Sequence, residues 1–504
     1  MNKQIAVTVN GKPRLAVADM TLSEIINGEK PCGGHGKCGK CKVIAGGELS
    51  PLTEAELNLL SSDELVGGAR LACLTRALGN CDITTVSERE ISQIVTAGEL
   101  PKIEIKPLFA KYGVAIDIGT TTLAARLYDT KGYLLAHTSR LNPQQEWGAD
   151  VISRIEAALD GKAQELAKAI RQALDDMIYE LADIAKISTK DVDCAVITGN
   201  TIMLSLLTEQ SVEPFSHAPF NAKRLFAETI ASDEIELYNL SQNTPIYLPP
   251  CISAFVGADT TCALLATQLC DGNTAMIADI GTNGEMALWH NKKLTVCSTA
   301  AGPAFEGVGI SMGMRGADGA IDKVQIENGR LKAHVIGGGA PTGICGSGLV
   351  DAVACMLDLE LVDESGYLED DEFVIKSPVC LTPKDIRMLQ LAKSAICAGI
   401  VALVDTEKLN ASDISTLYIA GGFGNYLNKK NAAKIGLLPK DLTEGSKTVG
   451  NAALAGAAMI LLNAEIKEKG EKIASSANTL DLSTNPVFSD QYMSGMMLGE
   501  VPLE

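Results

Sequence analysis

YGVAIDIGTTTLAARLYDTKGYLLAHTS, residues 112–139, is echoed later in the chain by AMIADIGTNGEMALWHNKKLTVCSTA, residues 275–300. Both follow one order: an apolar strand, the tetrapeptide D-I-G-T, a second strand, a polar turn and a third strand. A second pair follows the same logic, DCAVITGNTIMLSLL (193–207) and TLYIAGGFGNYLNKK (416–430), in which a strand ends on a glycine turn and a helix begins. Four matched segments in one order predict a duplicated α/β unit, two lobes with a cleft between them.

The chemistry of D-I-G-T is phosphate and metal binding. Its glycine and the residues after it form a tight hairpin whose N–H groups and Thr hydroxyls can cradle phosphate oxygens. The Asp at the strand end can hold Mg²⁺, usually through water. Two such hairpins facing each other would clamp a triphosphate from both sides. The IAGGFGN turn lets backbone and a helix amino terminus approach a nucleotide.

On these motifs, residues 112–465 resemble the acetate-and-sugar-kinase, chaperone and actin superfamily of two-lobed ATPases. The resemblance implies a first phosphate site at Asp117, Gly119, Thr120 and Thr121, and a second at Asp279, Gly281, Thr282, Asn283 and Gly284. It implies a connecting segment at Thr198, Gly199 and Asn200, and an adenosine loop at Gly421, Gly422 and Phe423. Asp117, Asp279 and Asn200 are the candidate catalytic residues there. Glu285 and Glu306 are both candidates to position an attacking water, and Glu285 is preferred because it adjoins the second hairpin.

The amino-terminal region holds a different pattern. CGGHGKCGKC, residues 32–41, can be read as a P-loop, but Cys41 stands where a hydroxyl should hold Mg²⁺ and the strand-to-helix context is missing. Read by its cysteines, with Cys73, it is C-x5-C-x2-C-x31-C: Cys32, Cys38, Cys41 and Cys73 as ligands of a 2Fe–2S cluster. Zinc is the alternative, yet zinc prefers paired C-x2-C knuckles and only one is present. The flanks read as a hairpin (KQIAVTV, NGK, RLAVAD), a short helix capped by Thr21 with Glu24 three residues on, and strands at KVIAGG and CDITTV. This order and spacing resemble a β-grasp ferredoxin domain of the adrenodoxin-like branch over residues 1–86.

Composition bounds the rest. The chain has 504 residues, 46% of them apolar, with 47 glycines and a net charge of −19. A charge of that sign excludes general nucleic-acid binding, which needs a basic face. Residues 1–90 are near neutral, so the negative charge lies on the remainder. The start, MNKQIAVTVNGKP, lacks a signal-peptide core, and the most apolar run, NAALAGAAMILLNAE (451–465), suits a packed helix better than a membrane span. A cytoplasmic protein without membrane association is expected, and most of the other ten cysteines read as small buried hydrophobes.

The expected domains are a ferredoxin-like domain at 1–86, a linker at 87–110, ATPase lobes at 111–270 and 271–465, and a C-terminal segment at 466–504. Two glycine-dense segments, STAAGPAFEGVGISMGMRG (298–316) and IGGGAPTGICGSGLVDAV (336–353), are not generic to two-lobed ATPases. With them, nearly the whole chain resembles the reductive activators of corrinoid-dependent enzymes. That resemblance implies ATP-dependent, one-electron reduction of a Co(II) corrinoid protein of a methyltransferase system to Co(I). Its cofactors would be a 2Fe–2S cluster, ATP and Mg²⁺, and Ser298 would be a contact to the corrinoid. No G-x-G-x-x-G dinucleotide fingerprint follows a strand, so electrons must come from an external donor protein. A homodimer is left open. The rival readings are a small-molecule kinase and a redox-sensing ATPase, each with a regulatory cluster.

Overall fold

A computed structural model of the chain describes residues 4–9, 12–26, 36, 41–60, 65, 68–85, 100–422 and 427–503. The chain divides into two compact units, Met1–Glu88 with Pro143–Ala149, and Arg89–Asn142 with Asp150–Glu504.

In the first unit, strands β1 (Gln4–Val9), β2 (Lys12–Val17), β3 (Lys42–Leu49), β4 (Ala69–Leu71) and β5 (Ala77–Thr85) form one mixed sheet in the order β2-β1-β5-β3-β4. Alternation decides which face is buried: in QIAVTV the apolar Ile5, Val7 and Val9 turn inward. Two short helices cover the sheet. Leu22–Ile26 starts at a reciprocal cap, with Thr21 N–H donating to Glu24 Oε2 at 2.8 Å and Glu24 N–H donating to Thr21 Oγ1 at 3.3 Å. Glu54–Leu59 starts at the equivalent box of Thr53 and Glu56.

The second unit holds two sheets of one design. Strands β6 (Tyr112–Ile118), β7 (Thr122–Asp129), β8 (Leu134–Leu141), β9 (Val192–Gly199), β10 (Glu228–Ala231) and β11 (Pro245–Leu248) form lobe 1, in the order β10-β11-β9-β6-β7-β8. In lobe 2, β12 (Ala275–Ile280), β13 (Gly284–His290) and β14 (Lys293–Thr299) are followed by an inserted sheet of β15 (Ala320–Glu327), β16 (Arg330–Val335) and β17 (Gly343–Ile344), and by the ribbon of β18 (Phe373–Lys376) and β19 (Val379–Leu381). Then β20 (Thr416–Ala420), β21 (Lys447–Gly450) and β22 (Asn478–Thr479) complete the main sheet, β21-β20-β12-β13-β14-β22. In each main sheet a D-I-G strand, β6 or β12, pairs antiparallel with its hairpin partner on one side and parallel with the strand of the second echo on the other. The repeat in the sequence is therefore a repeat in topology.

The lobes share one core. Helices Ala258–Ala266 and Ala452–Leu462 pack against each other between the sheets, among Ala115 and Val196 of lobe 1 and Ile277 and Ala287 of lobe 2. Small residues permit the close crossing: a Cβ on Gly456 would stand 1.9 Å from the Cys262 carbonyl oxygen. Among the described residues, the one helix long and apolar enough to cross a membrane is Pro383–Thr406, and 78% of its apolar window is buried inside lobe 2.

Two segments read as peripheral in sequence are tied into this unit. Residues 100–110 run along the end of helix Ala452–Leu462, with Lys106 and Leu108 N–H groups donating to the carbonyls of Leu462 (2.8 Å) and Leu461 (2.9 Å). At the other terminus β22 adds to the lobe 2 sheet beside β14. Helix Pro486–Ser494 and the residues after it are held by Gln390, Lys393 and Ser394, which donate to the carbonyls of Met496, Met497 and Tyr492. Backbone pairing of this kind carries no periodic signal in sequence.

Candidate functional site

In the first unit, Cys41 just precedes β3 and Cys73 sits in the turn after β4. Their Sγ atoms are 3.2 Å apart, both side chains are buried and neither forms a disulfide. The turn carrying Cys73 is fastened on three sides. Ala72 N–H donates to Cys41 O at 2.8 Å, and the helix start binds it through Leu22 N–H to Thr75 O and Ser23 N–H to Ala72 O. On the third side the buried carboxylate of Glu56 accepts from Leu71 N–H at 3.1 Å, Thr75 Oγ1 at 2.8 Å and Arg70 Nε at 2.9 Å. Burial alone would raise the Glu56 pKa, but its bonds from Arg70, Thr53, Leu71 and Thr75 outweigh that and hold it at about 2. Gly36 has φ +63°, and a Cβ there would meet Leu74 Cδ1 at 2.6 Å, so the loop needs glycine at this point. Cys32 and Cys38 lie outside the described residues.

In the second unit a cavity of about 500 Å³ opens between the lobes. The two D-I-G-T hairpins form its floor. Each turn is closed by its glycine, Gly119 N–H donating to Thr122 O at 3.0 Å and Gly281 N–H to Asn283 O at 3.1 Å, and the second turn is one residue shorter. Thr121 Oγ1 and Thr282 Oγ1 meet at 3.3 Å, and both hydroxyls donate to Glu306 Oε2. Asn200 caps helix Thr201–Leu207 through Met203 N–H (2.9 Å) and donates to Thr120 Oγ1 at 3.2 Å. Gly421, at φ +97°, lies so close to β12 that a Cβ would meet Ile280 O at 2.5 Å. Gly422 also lines the cavity, whereas Phe423 lies outside the described residues.

Asp279, Glu285 and Ser298 stand opposite one another across β12, β13 and β14, so they share one sheet face. Asp279 and Glu285 line the cavity; Ser298 and Gly284 are not among its lining residues. Six carboxylates do line it, those of Asp117, Asp259, Asp279, Glu285, Glu306 and Asp322. Burial pushes Asp117 up to about 7 and Asp259 to about 6. Asp279 reaches about 8 through burial and then the charges of Asp259, Asp117 and Glu306. Glu285 is raised well above the usual carboxylate range by burial and by Asp259 and Asp279.

Several cavity residues escaped sequence analysis. Asn451 caps helix Ala452–Leu462 and donates to Asp117 Oδ2 at 2.9 Å. Its signal was present, because VGNAA (449–453) repeats the strand–Gly–Asn–helix order of TGNTI (198–202). Asp259 follows Gly257 in the first turn of its helix, a pattern too common to single out. Arg315 and the pair of His334 Nδ1 and Asp322 Oδ1, 2.5 Å apart, come from loops and the inserted sheet, with no motif to mark them.

Comparison with known proteins fits this geometry. Residues 112–271 match a family model described as the RACo middle region, and residues 273–503 one described as the C-terminal domain of RACo, the ASKHA domain. Corrinoid activation enzyme RamQ of Eubacterium limosum is 37% identical over 426 residues, 77% of this chain and 70% of that protein. The chain belongs to the RACo family of corrinoid activation enzymes. Another member-like relative, the [Co(II) methylated amine-specific corrinoid protein] reductase of Methanosarcina barkeri, is 26% identical over 419 residues, 76% of each chain. A solved structure named as a reductive activator for corrinoid, iron–sulfur protein superposes with a TM-score of 0.74 at 28% identity, covering 98% of both chains. The C-terminal match is to an ASKHA domain, an ATP-binding fold.

Proposed function

We propose that this protein uses ATP to drive the one-electron reduction of a partner corrinoid protein from Co(II) to Co(I), restoring its competence for methyl transfer. The observation that carries the reading is the presence, in a chain of the RACo family, of both the converging thiols of Cys41 and Cys73 and the facing hairpins of Thr121 and Thr282. Residues 1–86 supply the electron site, 87–110 lead from it, and 111–270 and 271–465 form the two lobes, with 466–504 completing the second.

The residues present fit a 2Fe–2S cluster. Two buried thiols outside any disulfide and 3.2 Å apart suit ligands converging on one metal atom, and Cys32 and Cys38 would complete the set. Bound there, the cluster would hold a single electron at a potential of about −400 mV and release it to the partner's cobalt. The protein's own part is to fix Cys73 through Ala72, Thr75 and Glu56 and to keep water from the buried pair. An external donor protein would refill the site.

In the cleft the carboxylates of Asp117 and Asp279 offer oxygen donors that suit Mg²⁺, which is bound by one or two carboxylates together with waters and phosphates rather than by a full protein cage. Asp117 and Asp279 would hold the ion, which would neutralise phosphate charge. Asn451 and Asn200 orient Asp117 and Thr120. The hairpin N–H groups and hydroxyls cradle the phosphates, and Gly421 and Gly422 let the nucleoside approach. Glu285 or Glu306 would position the attacking water.

Each 100 mV of uphill gap costs one electron about 2.3 kcal/mol. Closure of the lobes on ATP can offset such a gap by favouring one bound state of the partner. Ser298, at the end of the Asp279–Glu285 row, is the proposed contact to the corrinoid.

The test is anaerobic. The reduced protein is mixed with a Co(II) corrinoid protein, and Co(I) absorbance is followed with and without Mg-ATP. Co(I) that forms only with ATP, and is lost in Cys38→Ala and Asp279→Ala, is the expected result. A reducible cluster and bound ATP without any Co(I) would transfer the weight to the kinase or sensor. Failure to bind any cluster would remove the electron site altogether.

A further inference from the structure

The loop between β14 and β15 carries three charged side chains, and two of them, Glu306 and Arg315, reach across the cleft to the same residue of lobe 1. Glu306 Oε2 accepts from the Thr121 and Thr282 hydroxyls. Arg315 Nη2 donates to the Thr121 carbonyl at 3.1 Å. Among the described residues lining the cavity, six carboxylates face a single guanidinium, that of Arg315.

These contacts compete with a phosphate for the same groups. The hydroxyls of Thr121 and Thr282 are donors a phosphate oxygen needs, and they are spent on a carboxylate. A phosphate arriving there repels Glu306 and attracts Arg315, whose planar fork matches phosphate geometry better than it matches one carbonyl oxygen. The loop is also tied to the rest of lobe 2. Met314 N–H donates to Ile344 O at 2.9 Å, just before helix Gly346–Asp358. Ser311 N–H donates to Asp385 Oδ1 at 2.7 Å, in the first turn of helix Pro383–Thr406.

We propose that Arg315 reads the terminal phosphate of a bound nucleoside triphosphate, exchanging the Thr121 carbonyl for phosphate oxygens while Glu306 is expelled from the two hydroxyls. The inference rests on the nucleotide site proposed above, in which the nucleoside enters at Gly421–Gly422 and the phosphates run toward Thr121. Arg315 is then the residue that distinguishes ATP from ADP. The exchange of partners at Thr121 passes the nucleotide state to the loop and to the two helices it touches.

The experiment is calorimetric titration of the full-length protein, prepared anaerobically, with Mg-ATP and with Mg-ADP. Wild type should bind ATP more tightly than ADP by roughly ten- to hundredfold, the range of a charged hydrogen-bonded contact. Arg315→Ala should bring that ratio close to one with ADP affinity unchanged. Arg315→Lys should fall between, and Glu306→Gln should tighten ATP more than ADP. Equal weakening of both nucleotides in Arg315→Ala, or a ratio left intact, overturns the inference while the nucleotide site stands. Wild type that binds both nucleotides equally also overturns it. Wild type that binds neither removes the nucleotide site and the inference with it.

Discussion

The hydroxyl oxygens of Thr121 and Thr282 lie 3.3 Å apart although 161 residues separate them in the chain. Thr282 closes its own D-I-G-T, whereas Thr121 follows Thr120, the last residue of the other, so the two lobes meet at their repeated motif one position out of register. Thr282→Val keeps the side-chain volume and removes only the donor. We expect the KM for ATP to rise roughly tenfold, as for the loss of one hydrogen bond to a charged group, with the unfolding midpoint little changed. An unchanged KM would mean that the hydroxyl serves only Glu306.

The crossing of Ala258–Ala266 and Ala452–Leu462 gives a prediction whose sign is opposite to helix propensity. Gly456→Ala would gain about 1 kcal/mol as an ordinary helix substitution. Its Cβ would instead stand 1.9 Å from the backbone oxygen of Cys262, which no side-chain rotation can relieve. Overpacking of this kind costs about 1–3 kcal/mol or more, so the variant should be less stable in urea denaturation. Gly470→Ala is the control, because its nearest neighbour is the flexible Leu265 Cδ1 at 3.1 Å. Gly456→Ala as stable as this control would show that the helices can separate without cost.

Glu56 couples pH to the turn that carries Cys73. Its pKa is about 2 in the fold against 4.5 for an ordinary Glu, so its contribution is full above about pH 4.5 and is lost as pH falls toward 2. Glu56→Ala leaves Arg70 buried without its partner and should destabilise the first unit by about 3 kcal/mol near neutral pH. The difference between wild type and variant should shrink on acidification, measured by equilibrium unfolding between pH 6 and pH 3. A difference that stays constant would assign the effect to lost packing alone.

The raised carboxylates predict how Mg-ATP binding depends on pH. Asp117 at about 7 and Asp279 at about 8 are largely protonated in slightly acid solution, and a divalent cation must displace those protons. Affinity for Mg-ATP should therefore rise from pH 6 to pH 8 and level off above. Stability of the unliganded fold runs the opposite way: an acid whose pKa is raised by folding favours the fold while protonated, and that contribution is lost as pH rises from the ordinary Asp value of 3.8 through the folded values of about 7 and 8. The thermal shift given by Mg-ATP should accordingly be larger at pH 8 than at pH 6. A shift independent of pH would indicate that neither Asp meets the ion.

Legibility in the sequence followed the range of the interaction. The duplicated lobes could be read from D-I-G-T and its echoes, and the caps at Thr21 and Glu24 from their spacing, because strand period, glycine turns and capping are properties of neighbouring residues. Asn451 was marked only by a Gly-Asn pair that matched Gly199–Asn200, and its bond to Asp117 across 334 positions could not be foreseen. Residues 100–110 and 478–503 read as linker and tail because their anchors are backbone pairs and carbonyls on distant helices.

By itself, then, the chain determined two D-I-G-T lobes, an amino-terminal set of four cysteines and a charge unsuited to nucleic acid. The tertiary structure alone decided which few of its 62 acidic residues face one another in the cleft, that Glu306 rather than Glu285 bridges both hairpins, and that Arg315 stands opposite Thr121. The reason is physical. Local geometry is written in adjacent side chains, whereas the composition of a cleft is set by how two lobes close on shared helices, where Gly456 lets Cys262 approach.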